Sequence, residues 1–130
     1  MTGGTISWRQ LREFAGIEVD RSFVLGWSYD RETLVVDADV ELRPEHPFYE
    51  PPRRRETACM RAASIEFPYC TGLRLNGRAA GDALPSMVAG LGAGAIHDLV
   101  RKDEGAYVLT GEFGAVEIEA ERPLLRLQGA

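Results

Sequence analysis

Residues 105–127 read GAYVLTGEFGAVEIEAERPLLRL, and this stretch decides the fold class. Side chains alternate across a strand, so one face takes every second residue. Tyr107 and Leu109 share a face in the first arm. Val116, Ile118 and Ala120 share one in the second, with Glu117, Glu119 and Glu121 opposite. The two apolar sets meet only if an even loop joins the arms. That leaves Phe113-Gly114 or Gly111 to Gly114 at the tip. Phe is costly at a left-handed position, whereas Gly114 closes the longer loop at positive φ, so the longer loop is expected. A one-residue slip would drive the glutamates into the core, which makes the register firm. Pro123 interrupts pairing, after which Leu125 and Leu127 face inward and Arg126 outward.

The chain has 130 residues, enough for a single domain around one core, with residues 1–6 as a loose lead-in. At 45% apolar and 27% charged, its composition is that of an ordered globular protein. A formal charge of −5 opposes general nucleic-acid binding, which needs a basic footprint. No apolar run approaches the length of a membrane span, and nothing at Met1 resembles a secretion signal. A cytoplasmic location is therefore expected. Cys59 and Cys70 are too few for a disulfide framework and fit reduced thiols. A bridge between them would need adjacent, suitably angled strands.

Outward from the hairpin, Ser22 to Leu42 is a second one. Phe23, Leu25, Trp27 and Tyr29 alternate in one arm; Leu34, Val36, Ala38, Val40 and Leu42 alternate in the other. A loop of Asp30-Arg31-Glu32-Thr33 sets Tyr29 across from Leu34 and Trp27 across from Val36, pairs that add stability. Asp37, Asp39 and Glu41 line the opposite face. Ahead of this hairpin, Ser7-Trp8-Arg9-Gln10 has the form of a capping box. Trp8, Leu11 and Phe14 then predict one short helix stopped at Gly16 and docked by its aromatics.

Residues 43–55, RPEHPFYEPPRRR, hold four prolines and predict an extended connection. Cys59, Ala63, Ile65 and Phe67 resume alternation, with Arg61 suggesting a bulge or an edge. Thr71 to Leu75 reads as a short strand before an Asn76-Gly77 turn. Residues 78–95 read as a long loop with one helical turn near Pro85-Ser86-Met87-Val88. Ile96 to Arg101 is a strand feeding the Lys102-Asp103-Glu104-Gly105 turn.

Candidate chemistry is sparse. Gly90-Leu91-Gly92-Ala93-Gly94-Ala95 lacks the spacing and the strand-then-helix context of a dinucleotide fingerprint. His46, Cys59, Cys70 and His97 have no paired metal-ligand spacing. His97-Asp98 with Ser86 or Ser64 lacks a nucleophile elbow. No catalytic residue, cofactor or metal is therefore assigned. The two acidic stripes would face each other at a cost if their strands were neighbours. A hard cation or the nearby arginines would relieve that, and simple solvation is the plain alternative. His46, Phe48 and Tyr49, with Arg53, Arg54 and Arg55, place aromatics and arginines on a rigid connection, residue types enriched at binding hot spots. The plain alternative is that Phe48 and Tyr49 cap the core. Trp27, Tyr29, Met60 and Tyr107 are the candidates to line a ligand cavity.

The segments FVLGWSYD, HPFYEPP, AIHDL and GAYVLTGEFGAVEI together resemble a family of small uncharacterised bacterial all-β proteins, across roughly Phe23 to Arg122. The resemblance implies an all-β fold; no known activity, cofactor or catalytic residue attaches to that family, so no function is carried over from it. In size and style the chain is also similar to some bacterial immunity proteins, an analogy of fold style alone.

These readings predict a mainly β fold: an antiparallel β-sandwich or partly open β-roll of roughly six to eight strands, with one short N-terminal α-helix. The expected function is a non-enzymatic protein-interaction domain. Its contact surface would be either an acidic sheet face suited to a basic partner, including Glu117, Glu119 and Glu121, or the proline-rich connection. The alternative is a small-ligand binder or enzyme with a cavity between sheets. A homodimer through an exposed sheet edge is compatible with either.

Overall fold

The computed structural model describes residues 5–78 and 84–128. Nine strands run in chain order as β1 (Ile6–Ser7), β2 (Ile17–Asp30), β3 (Thr33–Leu42), β4 (Met60–Phe67), β5 (Gly72–Leu75), β6 (Gly94–Asp103), β7 (Ala106–Gly111), β8 (Gly114–Glu119) and β9 (Leu124–Leu127). One short helix, α1 (Leu84–Ala89), precedes β6. All pairings are antiparallel, and the strands form a single sheet in the order β5-β8-β7-β6-β2-β3-β4-β9, with β1 also on β6. Nine strands exceed the expected number because Ile6 and Ser7 pair with Arg101 and Val100 instead of forming loose lead-in.

Both hairpins take the expected register. Leu109 faces Val116 and Tyr107 faces Ile118; Trp27 faces Val36 and Tyr29 faces Leu34. Gly111 pairs with Gly114, so the tip narrows to Glu112-Phe113, and Gly114 has the expected positive φ of 104°. The tip is anchored on β6. The Glu112 N–H donates to the Ala95 carbonyl at 3.0 Å. The Glu112 carboxylate accepts from the Ala95 N–H at 2.6 Å.

Leu34, Val36, Ala38, Ile65 and Phe67 from one half join Leu99, Tyr107, Leu109, Val116 and Ile118 from the other in one buried cluster. The Phe67 ring meets the Tyr107 ring edge-on at 5.6 Å. Such a pair is worth about 0.5–1.5 kcal/mol beyond its area. The sheet therefore curls until its two halves share an interior.

The N-terminal α-helix is replaced by two 3-10 turns, Trp8–Gln10 and Arg12–Phe14. Trp8, Leu11 and Phe14 recur every third residue, which is the period of the tighter helix and keeps all three on one side. Leu11 between the turns is extended, at φ −90° and ψ 123°. Ser7 caps as expected by accepting from the Arg9 N–H at 3.2 Å. Trp8, Leu11 and Phe14 are buried anchors. The second turn packs against β9, and Glu13 binds Arg122 at 3.1 Å.

Two further expectations change, and a third is met. β2 starts at Ile17 and carries two irregularities, between Glu18 and Phe23 and between Val24 and Gly26. Each inserts unmatched residues, and the second turns Val24 inward and leaves Phe23 and Leu25 exposed. Ser22, 1% exposed, sits inside the first irregularity. Its hydroxyl donates to the Glu18 carbonyl at 2.8 Å and accepts from the Glu41 N–H at 3.2 Å. Arg61 causes no bulge: β4 pairs with β3 without a break and lies between β3 and β9. Its guanidinium folds back on the Met60 carbonyl at 2.8 Å and on Glu50 at 3.3 Å. Finally, α1 occupies part of the segment read as a loop, at the expected helical turn, and buries Val88. The Gly/Ala-rich reading at 79–83 lies outside the described residues.

At one end of the sheet, Asn76 and Gly77 form the expected turn. Leu75 and Arg78 exchange backbone bonds at 3.0 Å, which occupies the outer edge of β5 there.

Candidate interaction surface

The link from β4 to β5, the turn from β6 to β7 and the end of β8 meet at one margin of the sheet. Backbone bonds knit them together. The Thr71 N–H donates to Glu119 at 2.9 Å, Ala120 to Gly105 at 3.0 Å, and Glu121 to Pro68 at 2.8 Å. The result is a concavity of about 530 Å³ lined by Tyr69, Thr71, Asp103, Glu104, Glu119 and Glu121. Tyr69 stands at its rim, 65% exposed, on a backbone with φ of 51°.

Asp103, Glu104, Glu119 and Glu121 form no ion pair among the described residues. A second hollow of about 470 Å³ shares Asp103, Ala106 and Glu119 and adds Arg74, Lys102 and Glu117. Here two cations, Arg74 and Lys102, stand among three carboxylates. Lys102 Nζ donates to Glu117 at 2.9 Å, reaching over β7. This hydrogen bond holds the Glu117 carboxyl below the usual carboxylate range. The same bond pushes Lys102 up. Arg74 stands opposite Glu117 in the β5–β8 register. The trough thus runs from an end where cations offset most of the acidic charge to one where the lining holds carboxylates and no cation. Its carboxylates are spread around the rim, and among the described residues no three His, Cys, Asp or Glu side chains converge to hold a metal ion. Spread carboxylates suit cations distributed along a chain.

The stripe of Glu117, Glu119 and Glu121 is therefore part of this surface. Asp37, Asp39 and Glu41 are not. β3 is separated from β8 by β2, β6 and β7, so the two acidic stripes are not neighbours. The proline-rich connection lies elsewhere. Phe48 is 53% exposed and its N–H donates to His46 Nδ1 at 3.0 Å. Tyr49 is half-buried and packs on the core, so it caps the interior while Phe48 does not. Arg53, Arg54 and Arg55 are exposed, and Arg53 reaches Glu50 at 4.0 Å.

The four residues expected to share a cavity are not brought together. Trp27 packs edge-on against Phe113 at 5.5 Å and donates from Nε1 to the Gly92 carbonyl at 2.6 Å. Tyr29 donates its hydroxyl to the Cys70 carbonyl at 3.1 Å. Met60 is half-buried at the start of β4, and Tyr107 is buried against Phe67. Of these four, Tyr107 lines the hollow that also holds Arg74, Lys102 and Glu117. Cys59 and Cys70 are both free and buried.

Tyr69, Asp103 and Glu104 were not among the residues singled out by sequence. A signal for the two acids existed. The hairpin register pairs Ala106 with Glu119, so a turn that ends at Ala106 must lie beside the glutamate stripe. Nothing comparable marked Tyr69, whose position depends on the long-range pairing of β5 with β8.

Comparison with protein-family models, with curated proteins and with solved structures finds no match.

Proposed function

We propose that this chain is a non-enzymatic protein-interaction domain that binds a basic partner at the trough between Tyr69 and Glu121. The observation that carries this reading is four carboxylates without cationic partners around one concavity, with an exposed tyrosine at the rim. Electrostatic complementarity would speed encounter and fix orientation, while Tyr69 would supply apolar contact area at low entropic cost. The reading extends to a partly open β-roll or sandwich, supported by the Phe67–Tyr107 contact across the curled sheet. A cytoplasmic setting accords with the two free, buried thiols. The resemblance to small bacterial β proteins, and the likeness in size and style to immunity proteins that neutralise toxins, accord with a domain whose work is binding.

The test is titration of the protein with an oligolysine peptide, followed by amide shifts at low and at high salt. Shifts at 69–71, 103–106 and 119–121 that weaken with salt are expected. The double variant Glu119→Lys/Glu121→Lys should abolish them while leaving the fold intact. Shifts spread evenly over every acidic residue, or retained in the variant, would refute the reading.

A further inference from the structure

Phe23 and Leu25 are 45% and 57% exposed on a strand that lies inside the sheet, while Val24 between them is 1% exposed. Phe23 is flanked on both sides, by Asp39 on β3 and Ala95 on β6. Plain alternation from Trp27 and Tyr29 would bury both residues. The irregularity between Val24 and Gly26 prevents it: Leu25 has no partner on β3, so alternation slips by one residue and Val24 takes the inward position. Bulges of this kind re-aim side chains, and they concentrate near functional sites. This one displays two large apolar side chains to solvent.

Their surroundings specify what would cover them. On the same outer face, Asp39 stands opposite Phe23, and Asp37 stands opposite Gly26, around which the space is open. On the far side of β3 the partners are small, Ala62 beside Asp39 and Ser64 beside Asp37. Asp37 and Asp39 have no ion pair among the described residues. The cations nearest in register are already engaged: Arg126, opposite Ser64, binds Glu66 at 2.9 Å, and Arg61, beside Ala62, binds Glu50. The surface is thus a low floor with an apolar pair on one side and two uncompensated carboxylates on the other.

We infer that the outer face of β2 and β3 docks an extended basic segment of a partner protein. Its Lys or Arg side chains lie on Asp37 and Asp39, and an apolar side chain lies on Phe23 and Leu25. A second copy of the chain is the poorer occupant, because the cations nearest this face are engaged with Glu66 and Glu50 and it offers none to another copy's aspartates. This surface is distinct from the trough beside Tyr69, since β6 and β7 separate β2 from β8.

The experiment is titration of the isotope-labelled full chain with a soluble peptide of about ten residues alternating Lys and Leu, a length suited to strand-like docking. Amide shifts are expected at Phe23 to Leu25 and Asp37 to Asp39. Affinity should fall at least about tenfold in Phe23→Ser/Leu25→Ser and, separately, in Asp37→Asn/Asp39→Asn. Phe23, Leu25 and Asp37 are exposed and Asp39 is half-buried, and matching circular dichroism checks that the variants fold. Shifts confined to residues 103–121 would overturn the inference and leave the trough reading standing. An apolar double variant that binds as well as the parent would also overturn it, by reducing the contact to bulk charge. So would a wild-type dimer that dissociates on Phe23→Ser, by assigning the face to a second copy.

Discussion

Asn76 holds Ala115 from both sides: its N–H donates to the Ala115 carbonyl at 2.7 Å, and its side-chain oxygen accepts from the Ala115 N–H at 2.9 Å. Asn76 also has a positive φ of 52°, a conformation Asn tolerates and most residues do not. Asn76→Ala loses a hydrogen bond and strains the turn, and should cost about 2 kcal/mol. Asn76→Gly keeps the backbone and should cost only about 1 kcal/mol. Chemical denaturation of the two variants separates the contributions.

The β2–β3 turn offers the opposite case. Arg31 and Glu32 both have positive φ, 49° and 65°, at the two central positions of a tight hairpin. Asn-Gly is the preferred pair there. Arg31→Asn with Glu32→Gly should raise stability by about 1–2 kcal/mol, because the left-handed strain of two ordinary side chains is relieved. The Glu32 carbonyl that accepts the Cys70 N–H at 2.7 Å is retained. A lower melting temperature in the double variant would contradict this account.

Ser22→Ala removes the hydroxyl that serves both Glu18 and Glu41. The expected loss is about 1–3 kcal/mol, with the denaturant slope unchanged because the fold exposes the same surface on unfolding. A loss below the measurement error would mean that the irregularity in β2 holds without its side-chain bridge.

Lys102 and Glu117 make a pH prediction with a defined sign. Glu117 is depressed by the Lys102 hydrogen bond, so its contribution to stability is present above the unfolded carboxylate pKa and is lost as pH falls through the lower folded value. Lys102 is raised, so its part is present below the unfolded lysine pKa and is lost as pH rises through the folded value. In Lys102→Met the Glu117 carboxyl should titrate higher, back toward the ordinary carboxylate range. Side-chain carboxyl resonances followed against pH read this directly.

Cys70 is buried, and burial pushes its thiol up, with the Glu119 charge adding to the effect. A group raised in this way contributes stability below its unfolded pKa and loses it as pH rises. The native protein should therefore resist thiol reagents at neutral pH and react at both cysteines only after unfolding. Fast labelling of Cys70 in the native state would contradict its burial.

Strand type and hairpin register were legible because alternation is a local signal. Tyr107, Leu109, Val116 and Ile118 could share one face only across an even loop, and the cost of Phe at a left-handed position chose between the two that remained. The 3-10 turns were missed because a spacing of three residues also suits an α-helix over so short a span. Phe23 and Leu25 were misplaced because the residues that insert the irregularities look like ordinary strand. Only Ser22 hints at them, by needing a partner when buried. The trough was half visible: its glutamates came from the hairpin and the turn acids followed from the same register, whereas Tyr69 needed the knowledge that β5 returns to β8.

The long strand β2 is paired on both sides, with β3 directly after it in the chain and with β6 far downstream. During synthesis, β2, β3 and β4 emerge first and can assemble as a hairpin and one further strand. Their inner side chains, among them Leu34, Val36 and Ile65, then wait for β6, β7 and β8 to be made. At roughly 5–20 residues per second that wait lasts seconds, long compared with local collapse. The nascent chain thus carries an uncovered greasy surface on the ribosome. A circular permutant that begins at β6 would move this exposure to the other half of the sheet without changing the finished protein.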